Sequence, residues 1–162
     1  LAAYRSVKTA GLNALLLTSR LEGQAREVGT VFSTIAKEVV MSGNPVRKPA
    51  AIIAGGETTV TVTGRGKGGR NQEIALSAAL KIGNMGGVVI ASISTDGVDG
   101  PTDAAGAMAD EKTLTCASKL KLNPRKFLIE NDSYNFFSRL GDLIFTGPTG
   151  TNVCDVSVIV AL

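Results

Sequence analysis

The sequence predicts an α/β domain in three layers, α/β/α, built on a mixed but mostly parallel sheet. Three observations carry that expectation. Short apolar runs fit for buried strands alternate with segments whose apolar residues recur at helical spacing. The 162 residues, 44% of them hydrophobic, suffice for one core and fit a single domain spanning 1–162. Only 4% are aromatic and Trp is absent, so that core must be aliphatic.

Residues 2–10 read as a helix stopped by Gly11, and a helix already under way at the first residue reads as a cut from something longer. The run 13–18 (NALLLT) fits a strand buried on both faces. Over residues 23–41, Val28, Val31, Phe32, Ile35, Val39 and Val40 recur at helical spacing before Gly43-Asn44-Pro45 ends the helix. A second buried strand is expected at 49–54, then a break at Gly55-Gly56. Thr and Val alternate over 58–63, the pattern of a strand with one solvated face, which would pair with the preceding one as a hairpin. A glycine-rich stretch, 64–70, leads to a helix headed by Asn71. The run 87–94 (GVVIASIS) is the next strand and opens into a polar loop, TDGVDGPTDAAGA. Three short helices follow between residues 111 and 140, with Asn123-Pro124 and Asn131-Asp132-Ser133 as starts. A final strand covers 153–162.

Composition narrows the chemistry. A net charge of +3 is too small to point to nucleic acid or a membrane. The charge is nevertheless uneven: residues 1–70 hold ten Lys/Arg and four Asp/Glu, the remainder seven and ten. No aromatic residues interleave with the basic ones, which argues against stacking on single strands. Cys116 and Cys154 lie in apolar stretches, far apart and without a CxxC, as expected of a protein in a reducing cytoplasm. No apolar run has the length of a membrane span. His is absent, which removes the commonest general base and every Ser-His or Cys-His nucleophile pair. Chemistry must then run on carboxylates, Lys, Arg and backbone amides.

Three loops and one isolated carboxylate are candidates for it. The stretch GRGKGGRN places Gly64, Gly66 and Gly69 at GxGxxG spacing. It follows a half-polar strand and has no acidic residue about twenty positions on, so it fails as a dinucleotide fingerprint. Arg70-Asn71 stands where a Walker loop needs Lys-Ser/Thr. What the loop offers is the amides of Gly68 and Gly69, the cations Arg65, Lys67 and Arg70, and a helix start at Asn71, all suited to oxyanions. The alternative is a solvated connection with glycines for turning. Asp96, Asp99 and Asp103 follow the strand ending at residue 94. Asp96 and Asp99 are candidate Mg²⁺ ligands and Asp96 a candidate catalytic carboxylate, against a bland reading as turn formers. The loop TGPTGTN, with Thr149 and Asn152, suits polyol or phosphate recognition. Glu57 is the fourth candidate, a carboxylate aimed at the same cleft or a hairpin residue facing solvent.

Taken together, GGETTVTVTGRGKGGRNQE (55–73), STDGVDGPTDAAGA (94–107) and NDSYNFF…DLIFTGPTGTNVCD (131–155) closely resemble the MOFRL domain of class II glycerate kinases, and TSRLEGQAREVG (18–29) resembles the part that leads into it. The resemblance implies a missing, Rossmann-like N-terminal domain and an active site in the cleft between the two. It implies transfer of the γ-phosphoryl group of ATP, with Mg²⁺, to the 2-hydroxyl of D-glycerate, giving 2-phosphoglycerate. By motif position Arg70 would sit at the substrate or the transferring phosphate, with Lys67 and the amides of Gly68 and Gly69 beside it, and Asp96 and Asp99 facing the cleft. The chain alone is expected to be inactive, and its oligomeric state is left open. Two other readings stand beside this one: hydroxypyruvate reduction, a name attached to relatives of the family, and a non-enzymatic module binding a small anion or a protein.

Overall fold

The computed structural model describes residues 1–162. In chain order the elements are α1 (Ala2–Thr9), β1 (Asn13–Leu21), α2 (Ala25–Ser42), β2 (Ala50–Gly56), α3 (Arg70–Ile82), β3 (Val88–Ser94), β4 (Gly106–Asp110), α4 (Thr113–Lys119), α5 (Pro124–Ile129), α6 (Ser133–Leu140), β5 (Leu143–Ile144) and β6 (Asp155–Ala161). The helical apolar spacing is realised in α2, which buries Val28, Phe32, Ala36 and Val39 and stops at Gly43 in the left-handed conformation. Asn123 caps α5 by accepting from the Lys126 amide at 3.2 Å, with Pro124 in the first turn.

The strands form one sheet in the order β1-β2-β6-β3-β4-β5. Its single parallel pairing is β1–β2; the other four are antiparallel. The expectation of a mostly parallel sheet is therefore corrected. The cause is β6, which inserts between β2 and β3 and runs against both, and a polar loop that returns β4 antiparallel beside β3 instead of crossing over. Three local readings change as well. β1 is an edge strand paired only to β2, and none of its residues is buried, so it is not the strand covered on both faces that its apolar run suggested. The Thr-Val segment forms no hairpin, because both edges of β2 are already taken by β1 and β6. Its backbone is held instead by Gln24, whose Oε1 accepts from the Thr61 amide at 3.1 Å, and by a bridge between Gln24 and Thr59. Cys116 and Cys154 are exposed and not in apolar surroundings.

Along β3 and β6 buried residues alternate with half-buried ones. The buried set, with Val88, Ile90 and Ile159, joins Ile52 of β2, Phe32 of α2, Ile74, Ala78 and Ile82 of α3, and Phe136 and Phe137 of α6 in one core cluster. Core geometry thereby fixes α3 against the sheet, and with it the position of Arg70 at the helix start. No helix is long and apolar enough to cross a membrane.

Candidate functional site

At the end of the sheet where β2 and β3 finish and β6 begins, a cleft of about 850 Å³ opens. Its lining includes Glu57, Thr58, Gly68, Gly69, Arg70, Glu73, Ser94, Asp96 and Asn152. The two residues expected to face one another, Arg70 and Asp96, thus line the same cleft.

Arg70 opens α3 and is held on two sides. Its Nε donates to Asp155 Oδ2 at 2.6 Å and its Nη2 to Asp155 Oδ1 at 3.1 Å, a bidentate pair. Its Nη1 donates to Glu57 Oε1 at 2.6 Å. The hydrogen bond to Asp155 holds the guanidinium protonated above its ordinary range. Asp155, the first residue of β6, is the anchor; its side chain is 5% exposed, against 56% for Glu57. Three successive backbone amides, of Gly68, Gly69 and Arg70, donate to no acceptor in the chain. They belong to residues that line the cleft, and unpaired amides in such a place are the kind of donors an oxyanion takes.

The glycines are there for close approach. A Cβ on Gly66 would run into Asp132 and one on Gly69 into the Asp99 carboxylate, and neither residue has a positive φ. The loop is therefore packed down, not the flexible turn its composition implies. Asn131 does much of the holding. Its Oδ1 accepts from the amides of Thr63 at 2.8 Å and Gly64 at 2.9 Å, while its Nδ2 donates to Glu73 Oε2 at 3.0 Å. Glu73 in turn accepts from Arg26 Nε at 2.9 Å.

The carboxylates of the β3–β4 loop separate into two environments. Asp96 is solvated; the Val98 amide and the Ser94 hydroxyl, at 3.0 and 2.8 Å, hold it below the usual carboxylate range. Its Oδ2 meets only Asn152 Nδ2, at 3.3 Å. Asp99 is 1% exposed, and its Oδ1 and Oδ2 accept from the amides of Asn71 and Gln72 at 3.1 and 2.9 Å. Burial pushes its carboxyl up, opposed by those same amides. The reading of Asp99 as a metal ligand is corrected on this geometry: its oxygens satisfy the helix start. No group of three His, Cys, Asp or Glu side chains that could hold a metal converges in the chain, and of the two expected ligands Asp96 is the one that lines the cleft.

Other expected residues are redistributed. Asn71 is fully buried, with its Nδ2 on Asp99 and its Oδ1 accepting from Ser92, and does not reach the cleft. Lys67 turns its ammonium onto the Tyr134 ring, 4.1 Å from the centroid, and is absent from the lining. Thr149 supports Asp96 from behind, its amide donating to the Asp96 carbonyl at 3.2 Å. Asn152 does line the cleft. Sequence reasoning missed Asp155, Glu73, Asn131 and Thr58. Thr58 lines the cleft, is buried, and carries an Oγ1 with no partner. A polar residue at the head of an apolar strand, as at Asp155, was the one available signal.

Comparison with known proteins bears on the family and the fold. Curated D-glycerate 2-kinase from Thermotoga maritima is 48% identical over 93% of this chain, which spans 36% of that protein. A putative hydroxypyruvate reductase from Agrobacterium vitis is 43% identical over 92% of this chain and 39% of its own length. The crystal structure of a glycerate kinase from Thermotoga maritima superposes with a TM-score of 0.97 at 46% identity, covering 99% of this chain and 39% of that one. The chain therefore spans well under half of the relatives it matches. The profile of the MOFRL family matches residues 50–155, most of the chain and all of the cleft's Gly-rich and Asp-bearing loops, and the chain belongs to the MOFRL family.

Proposed function

We propose that the chain supplies one wall of the active site of an ATP-dependent D-glycerate 2-kinase and works in the cytoplasm with the further domain its relatives carry. The observation that carries this reading is Arg70, fixed at the cleft by Asp155 beside three unpaired amides. Phosphoryl transfer asks the protein mainly for positioning and charge neutralisation, which suits a site without His. In this reading Arg70 and the amides of Gly68 and Gly69 meet phosphoryl oxygens. Asp96, held ionised, is a weak base and serves as an acceptor that orients the glycerate hydroxyl. Asn152 keeps that carboxylate turned into the cleft. No step is assigned to Mg²⁺ on this wall, since Asp96 is the one solvated carboxylate of its loop that lines the cleft.

Hydroxypyruvate reduction needs a nicotinamide site, and the local structure speaks against one. A dinucleotide pyrophosphate rests on the first-turn amides of a helix, and here Asp99 occupies those of Asn71 and Gln72. Incubating the protein that carries this chain with ATP and D-glycerate should yield 2-phosphoglycerate. Absence of product, or NADH oxidation on addition of hydroxypyruvate, would overturn the kinase reading.

A further inference from the structure

Glu57 and Asp155 grip the same guanidinium in different ways. Asp155 is buried and bidentate. Glu57 is more than half exposed, makes one contact and has no other side-chain partner. Its backbone is pinned independently, the Glu57 amide donating to the Leu21 carbonyl at 2.8 Å, so the side chain can leave without disturbing the segment.

From this asymmetry we infer that Glu57 is a resident competitor for the outer donor of Arg70, one that any anion entering the cleft must displace. The inference rests on the reading above that this cleft takes an anion at Arg70, and it assigns Arg70 to the phosphoryl group and not to the carboxylate of the substrate. Asp155 alone balances the single charge of Arg70. A monocarboxylate displacing Glu57 therefore exchanges like for like at Nη1 and gives up its own freedom in solution. A phosphate dianion brings twice the charge to the donor edge nearest it, while Asp155 repels it only from the far edge of the guanidinium. Its additional oxygens also reach toward the free amides of Gly68, Gly69 and Arg70, which a two-oxygen carboxylate engaged at Nη1 cannot all satisfy. The exposed carboxylate of Glu57 thus acts as a resident competitor that weakens every anion at Nη1 alike, while the choice between anions rests with the amides and the charge they meet.

Calorimetric titration of the chain with inorganic phosphate and, separately, with D-glycerate tests this at constant ionic strength, in mildly alkaline buffer where phosphate is a dianion. Wild type, Glu57→Gln and Arg70→Lys are compared, with circular dichroism confirming each fold. Wild type should prefer phosphate. Glu57→Gln should tighten phosphate and glycerate alike, about two- to fivefold, the range of one exposed ion pair. Unchanged affinities in Glu57→Gln, with phosphate binding lost in Arg70→Lys, overturn the role of Glu57 alone. Phosphate binding that is indifferent to Arg70→Lys, or absent from all three proteins, overturns the anion site itself.

Discussion

The Oδ2 atom of Asp99 lies 2.9 Å from the backbone amide of Gln72, so a residue from the β3–β4 loop closes the first turn of α3. Two segments that both line the cleft are joined at that point. Asp99→Ala leaves buried helix amides without an acceptor and should cost about 1–3 kcal/mol. Urea unfolding monitored by circular dichroism measures it, and a change within error would show the contact to be dispensable.

Asp96 and Asp99 should titrate on opposite sides of the ordinary aspartate value near 3.9. The Val98 amide and Ser94 hydroxyl lower the first, and burial raises the second. Because the native state holds the Asp99 proton longer than the unfolded chain does, this group's contribution to stability is complete below its ordinary pKa. It is lost as pH rises through the elevated native value. Carbon-13 NMR of the two carboxyls reads both directions, and titration of the pair together would contradict the assignment.

Asn131→Ala removes the acceptor of the Thr63 and Gly64 amides together with a donor to Glu73. A loss of about 2–3 kcal/mol is expected from several buried hydrogen bonds. Hydrogen exchange should accelerate at Thr63 and Gly64 before it does in β3. Uniform acceleration across the chain would mean that Asn131 serves global packing and not the loop.

Gly69→Ala places a methyl group against the Asp99 carboxylate. Overpacking at such a site costs about 1–3 kcal/mol and should displace Arg70 with it. The melting temperature reports the first effect and phosphate titration the second; an unaltered melt would show that the loop is looser than its contacts indicate.

Arg70→Ala in the protein carrying this chain should lower kcat about 10²–10³-fold, the loss seen when one charged or oxyanion donor is deleted. Steady-state kinetics with ATP and D-glycerate measures it. Unchanged turnover would leave Arg70 a purely structural partner of Asp155.

Local patterning was legible where packing follows period. The stripe from Val28 to Val39 gave α2, and the apolar runs ending at Ala54 and Ser94 gave β2 and β3. Sheet order was not legible, because the insertion of β6 between β2 and β3 depends on contacts distant in sequence. β4, Gly106–Asp110, is mostly small residues around Met108 and lacks the β-branched signature of a strand. Alternation over 58–63 pointed to a strand where only an isolated bridge at Thr59 forms, because alternation carries no information on whether an edge is free to pair. For the cleft, Arg70 and Asp96 stood out because glycines and a strand end framed them. Asn71 and Asp99 look identical on paper to solvated loop residues, and only burial separates them.

β6 is the last strand in chain order, yet it sits at the centre of the sheet and begins with the carboxylate that steadies Arg70. Until it docks, the β1–β2 pair and the β3–β4–β5 meander have no shared edge, and the guanidinium has no buried counter-ion. The clamp therefore comes into being only once the two halves are zipped together. A product that lacks β6 can display every glycine of the loop and still leave Arg70 without its buried partner, so the ion pair itself reports that the last strand has docked.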